Sequence, residues 1–346
     1  MSRTRLVAVA TLAVAAHVGG VAPALAQPKP SGTLVASNME AHTVSIVDVA
    51  SGRTLATHAV GQGPHEVTVS PDGRTAVVAI YGNRAAVGSS LTVFDLTKPA
   101  VAPRVVELGA GNQRPHGLAF LPDGATLLVT GERAQRLLAV QLATGAIDSS
   151  MSTGQATSHM VAATPDGVRA YTANITGMSV SALDVPTRTL AATWKIGARV
   201  EAIAVTPNGR EVWAGGNDSH LVYALDTKTG AVAHTLDGFG MAYRIGFTPN
   251  GATAVISDPG SEKIHLVDVA THRITKTIDV PATLPTFGAN PSPQGVWVAK
   301  DGAFAYVTLK AAAQVAVVDL ATGTIVKTLP VGAGSDGVAW SPLAAR

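Results

Sequence analysis

The sequence predicts an all-β fold: a seven-bladed β-propeller of four-stranded blades, closed by pairing N-terminal strands with the C-terminal strand. Three observations carry that expectation. A turn triplet recurs at a near-constant interval, each unit between triplets reads as four short alternating strands, and the two chain ends each hold part of one unit.

The triplets are Pro71-Asp72-Gly73, Pro122-Asp123-Gly124, Pro165-Asp166-Gly167, Pro207-Asn208-Gly209 and Pro249-Asn250-Gly251. Lys300-Asp301-Gly302 is a degenerate copy and Ser341-Pro342 a truncated one. Their first positions are separated by 51, 43, 42, 42, 51 and 42 residues. A period near 42 is the mark of a repeat architecture, and it matches a propeller blade better than a solenoid, whose repeats are usually shorter.

Within a unit, an alternating apolar strand precedes the triplet, as in Val67-Thr68-Val69, and a second follows it, as in Ala76-Val77-Val78-Ala79. A third strand ends on an acid at Asp48, Asp95, Asp184, Asp226, Asp268 and Asp319, with Gln141 in one copy. A turn such as Lys228-Thr229-Gly230 then leads to a fourth strand. Period-two alternation bounded by Gly and Asp turns is the strand signal. The chain enters the repeat at Thr33 on a strand of the second type and leaves it on Gly337-Val338-Ala339-Trp340, of the first type. Joining the two completes a seventh blade and leaves no open sheet edge.

Before the repeat, Arg3 and Arg5 are followed by the apolar run Leu6 to Val18, a Gly19-Gly20 break, Pro23 and Ala24-Leu25-Ala26. This reads as a secretory signal peptide over 1–26, with 27–32 a short linker and 33–346 the propeller. The apolar run has 13 residues, short of the roughly 20 needed to span a bilayer. The expected location is therefore periplasmic or secreted, with no membrane span after processing.

Composition narrows the partners. Of 346 residues 47% are hydrophobic and only 14% charged, which excludes a disordered chain. No cysteine is present, so disulfides, thiolate metal sites and covalent c-type haem are excluded. Residues 1–26 carry two Arg and no acid, so the remainder holds 23 basic and 23 acidic residues. With no net charge and no basic stripe, nucleic acid is disfavoured. No nucleotide-binding loop is found either: Gly238-Phe239-Gly240 lacks a following helix.

Units such as Pro64-His65-Glu66-Val67-Thr68-Val69-Ser70-Pro71-Asp72-Gly73, with Thr43-Val44-Ser45-Ile46-Val47-Asp48, resemble the YVTN-type β-propeller repeat proteins over essentially all of 33–342. Secreted bacterial members are ligand-binding or cell-surface proteins. Relatives with similar repeats include lactonases, streptogramin-type lyases and dehydrogenase subunits. The resemblance implies architecture more than activity. It also implies that the first strand of each blade lines the channel and begins at one mouth.

Counting six positions back from each triplet places His65, His116, His159, Glu201, Tyr243, Gln294 and Asp336 at that mouth. Imidazoles with a carboxylate suit Zn²⁺, Mn²⁺, Fe²⁺ or Cu²⁺, and three protein ligands with an open position fit a catalytic metal. His65, His116, His159 and Glu201 are the candidate metal ligands. Two readings stand. One is a ligand-binding or interaction module whose rim includes Tyr243, Arg244, Gln294 and Phe287, taking a small molecule or another periplasmic protein. The other is a metal-dependent lactonase or lyase, with Glu201 or Asp336 as catalytic base. Arg244 suits either a ligand carboxylate or phosphate, or a neighbouring acid. Loops after the second strands add Asn38, Asn83, Glu132, Asn174, Asn217, Asp258 and Lys310 to the same face. The two long repeats lengthen Gly82–Ser90 and Pro281–Pro293, the latter a candidate flap carrying Phe287. His234 is expected near the outer edge, away from the channel.

Overall fold

Four-residue turns set the frame. In each triplet the glycine takes a left-handed backbone, with φ of +77° at Gly73 and +71° at Gly167, which other residues adopt only at a cost. Asp72 accepts hydrogen bonds from the Arg74 N–H at 3.0 Å and from Ser70 Oγ at 2.6 Å, closing the turn locally. The acids ending the third strands have the same use. Asp48 accepts from the Ser51 N–H at 2.8 Å, and Asp268 from Thr271 at 2.8 Å. Where Gln141 replaces the acid, its Nε2 donates to Thr126 Oγ1 at 2.9 Å.

The computed structural model describes Met1, residues 28–281 and residues 290–344. Among these residues lie seven antiparallel sheets of four strands each. Blade 1 runs Pro64–Val69, Thr75–Gly82, Val87–Asp95 and Arg104–Glu107. Blade 2 runs Pro115–Phe120, Thr126–Gly131, Arg136–Gln141 and Ala146–Ser152. Blades 3, 4, 5 and 6 begin at Ser158–Ala163, Val200–Val205, Arg244–Phe247 and Pro293–Val298. Blade 7 is composite. Ser335–Ser341 from the C-terminus pairs with Thr33–Asn38, in the register Leu34↔Trp340 and Val35↔Ala339. Each first strand lies against the next, around to the start, so the ring is closed. The one helical element described is a 3-10 turn, Lys310–Ala312.

Apolar side chains of facing blades make the core. Val77, Leu91 and Val106 of blade 1 interlock with Leu127, Val129 and Leu138 of blade 2. Trp213 is fully buried between blades 4 and 5, and Trp340 closes blade 7 against Tyr306 of blade 6. The extra residues of the first long repeat extend a hairpin, Thr75–Gly82 with Val87–Asp95, and lengthen the turn from Asp95 to Arg104. Most of the second, with Phe287, lies outside the described residues, as do the residues after Met1 in the segment read as an export signal.

Candidate functional site at the channel mouth

The first strands share an irregularity that aims their side chains. Pairing with the second strand breaks between Pro64 and Val67, Pro115 and Leu118, Ser158 and Val161, Val200 and Ala202, and Pro293 and Val296. Each break contains a mouth residue: His65, His116, His159, Glu201 and Gln294. A bulge re-aims a side chain out of the regular alternation, here toward the axis. Hydroxyls then fix the neighbouring carbonyls. Thr130 Oγ1 donates to the His159 carbonyl at 2.6 Å and accepts from the Gly117 N–H at 2.8 Å. Thr308 does the same for the Asp336 carbonyl and the Gly295 N–H. Gly117 allows the close approach of blades 2 and 3, because a Cβ there would sit 2.6 Å from the Val161 nitrogen.

The result is a buried cluster, not an open rim. His65, His159, Glu201 and Tyr243 are each 8% exposed, and His116 and Asp336 are fully buried. The three imidazoles lie in series: His65 is tilted against His116 with centroids 4.1 Å apart, and His116 stacks on His159 at 3.4 Å. The structure thus gathers His65, His116, His159, Glu201, Tyr243 and Asp336, which lie far apart in the chain.

Their chemistry divides. His159 Nδ1 meets Glu132 at 2.8 Å and its Nε2 meets Glu201 at 3.3 Å. Burial works against its charge, but these two carboxylates outweigh burial and raise its pKa to about 9. Arg244 is buried and donates from Nε and Nη2 to Glu66 Oε1, at 3.1 and 2.5 Å, and from Nη1 to Glu201 at 3.2 Å. Its guanidinium lies 4.1 Å from the Tyr243 ring centroid. Of the two partners open to Arg244, the structure supplies the neighbouring acids. Burial pushes the Glu66 carboxyl up, yet Arg244 and His65 bring it down to about 2. Glu201 is held far below the usual carboxylate range despite burial, by His159, Arg244 and a 2.7 Å bond from Asn217 Nδ2. Asp336 accepts from Lys310 Nζ at 2.9 Å and faces the Tyr243 hydroxyl at 3.5 Å.

The other half of the cluster is unpartnered. Both ring nitrogens of His116, and Nδ1 of His65, are buried without a hydrogen-bond partner. Burial and the neighbouring His159, His65 and Arg244 depress the His116 pKa far below its ordinary value, so the ring is neutral. Glu66 and Asp336 each stand 3.8 Å from His65 Nδ1, too far for a hydrogen bond. Ligand atoms of His65, Glu66 and His116 lie within 4.8 Å of one another, a group able to hold a metal ion. The four ligands expected from sequence therefore separate. His65 and His116 keep that capacity, His159 and Glu201 are committed to the charge network, and Glu66, whose Oε1 accepts from Arg244, belongs to both. A second group of this kind, Glu211, His234 and His272, lies on blades 4 and 5 away from the mouth.

Glu66 and Tyr81 are the residues sequence reasoning missed. The break between Pro64 and Val67 holds two consecutive residues, and Glu66 is the one after His65. Tyr81, next to last in the second strand of blade 1, donates to Glu132 at 3.0 Å and lies under Arg114 at 4.6 Å. Burial, with Glu132 adding to it, pushes its phenol up to about 12. Gln294 is half-buried and donates to Ser292 Oγ at 3.1 Å.

The hydrazine synthase of Kuenenia stuttgartiensis is a structural neighbour, with a TM-score of 0.69 over 83% of this chain and 93% of that chain, at 18% identity. The likeness is one of fold. No protein-family model matches the chain, and no curated protein matches it.

Proposed function

We propose that this protein is an exported, YVTN-like propeller that acts as a binding module, its channel mouth holding a small polar ligand through a divalent transition metal on His65, His116 and Glu66. One observation carries the reading: His116 is wholly buried, neutral, and leaves both ring nitrogens without a partner. A buried polar group left unsatisfied costs about 1–3 kcal/mol, and a bound ion removes that cost. Neutral imidazoles with a carboxylate are a transition-metal donor set, and three protein ligands leave room for an exogenous one. The periplasm or exterior, read from residues 1–26, is the proposed location, and 33–346 the proposed working domain.

The same geometry favours binding over hydrolysis. A general base works best with a pKa near the operating pH. Glu201 lies far below that, tied to His159 and Arg244, and Asp336 is paired with Lys310. The test is elemental analysis of untagged protein purified without metal-affinity resin. The expected result is a retained divalent ion that His116→Ala loses. Equal metal content in the two proteins would sink the proposal.

A further inference from the structure

The outer edge of the ring holds a second constellation that the channel mouth does not need. Glu211 starts the second strand of blade 4, Glu211–Gly216, and His234 lies on its outer strand, Val232–Leu236. His272 comes from the turn before the outer strand of blade 5, Arg273–Asp279. Two blades therefore meet in one set of side chains.

The geometry is ordered in layers. Trp213 Nε1 donates to Glu211 Oε2 at 2.7 Å and fixes the carboxylate. His272 Nε2 lies 3.1 Å from each oxygen of that carboxylate. The His272 ring stacks on Trp213 at 5.5 Å on one side and on His234 at 3.9 Å on the other. His234 and His272 also line a cleft of about 530 Å³ with Asp237, Thr271 and Arg273. Ligand atoms of Glu211, His234 and His272 all lie within 4.8 Å of one another.

The turn position of His272 is left-handed, with φ of 55°. Four of the five matching turns use glycine, at Gly52, Gly145, Gly230 and Gly323, with φ between 62° and 76°, and the fifth has Arg188 at 61°. A non-glycine residue there costs about 1 kcal/mol, and such strain collects at functional positions. The residue types of His234 and Glu211 are particular to this place. The residues in register with His234 on the outer strands of blades 5 and 6 are Lys276 and Lys327. Those that start the second strands of blades 1, 2 and 5, as Glu211 does in blade 4, are Thr75, Thr126 and Thr253.

We propose that Glu211, His234 and His272 form a second divalent transition-metal site that joins blades 4 and 5. Two imidazoles and a carboxylate suit Zn²⁺, Cu²⁺ or Ni²⁺ and leave a coordination position facing the cleft. The ion takes the place of the proton shared between His272 and Glu211. Trp213 acts as the outer support that orients the carboxylate ligand.

The probe is Cu²⁺ alone, titrated into untagged, chelator-stripped full-length protein while tryptophan emission is followed, because Trp213 stacks on a ligand. The titration is run on a His116→Leu background, which removes the channel-mouth ligand. One ion is expected to bind with partial quenching, and His234→Ala is expected to weaken that step by at least ~10-fold. His234 is exposed, so its replacement leaves the fold intact, checked by an unchanged unfolding midpoint. Quenching of the same affinity in His234→Ala, or no quenching step at all, overturns the proposal. Failure of the channel-mouth reading is read separately, as equal ion content in wild type and His116→Leu.

Discussion

His116 and His159 stack 3.4 Å apart on adjacent blades, at the same position of the same repeat, yet they differ in charge. His159 has a carboxylate on each nitrogen and is a cation at neutral pH, whereas His116 has none and is neutral. Both are buried, so burial does not separate them. Glu132 and Glu201 do. Between Glu66, Glu132, Glu201 and Asp336 on one side and Arg244, His159 and Lys310 on the other, the cluster is compensated to within one negative charge. The neutral His116, with His65 beside it, is what remains available to an outside ligand. Charge compensation and ligand capacity thus sit side by side in one channel mouth.

The hardest way to break the charged half is to remove its common cation. Arg244→Ala leaves Glu66 and Glu201 buried without their guanidinium. Loss of one partner from a buried ion pair destabilises by about 3–5 kcal/mol, and chemical denaturation at neutral pH is expected to show it. Arg244→Met combined with Glu66→Gln and Glu201→Gln is expected to recover most of the loss, because no buried charge is left unpaired. A single variant as stable as wild type would mean that the cluster is wetter than its burial implies.

pH separates the two histidines by sign. The His159 pKa is raised from 6.5 to about 9, so its contribution is fully present below 6.5 and lost as pH rises through 9. At 1.36 kcal/mol per unit the full loss is about 3 kcal/mol. The His116 pKa is depressed, so its contribution is present above 6.5 and lost as pH falls below it, when the unfolded chain takes up the proton first. Stability measured from pH 5 to 9.5 should therefore decline on both sides of 6.5. His159→Gln should abolish the alkaline decline and leave the acid one. A flat wild-type profile between 6.5 and 9 would contradict the assignment of charge to His159.

The placement of these residues was legible in the sequence, but their charge states were not. Fixed spacing from each Pro-Asp-Gly triplet puts His65, His116 and His159 at one mouth, because a repeat fixes position within a blade. The partner that charges His159 is Glu132, at the end of a neighbouring blade's second strand. No spacing rule distinguishes it from Asn83 or Asn174 in the matching loops. Arg244 and Glu66 lie 178 residues apart and meet across the channel. That contact depends on side-chain reach, which the ring dictates and the local pattern does not. Glu66 was hidden for a further reason: regular alternation turns it away from the axis, and only the bulge brings it round.

The smallest expected effect is the sharpest discriminator. His116→Leu exchanges two unpartnered buried nitrogens for apolar atoms of similar volume. It relieves an unsatisfied-group cost of about 1–3 kcal/mol and forfeits stacking worth about 0.5–1.5 kcal/mol. In chelator-treated buffer the variant should lie within about 1 kcal/mol of wild type or above it, unlike Arg244→Ala. Saturating metal should then reverse the order. An ion at one hundred times its dissociation constant adds about 2.7 kcal/mol to a protein that binds it, and the variant lacks that gain at the mouth. The outer site contributes equally to both proteins, so it cancels from the difference. A large loss in metal-free buffer would instead mark His116 as a packing residue, and the neutral half of the mouth would then be structural in the same sense as the charged half.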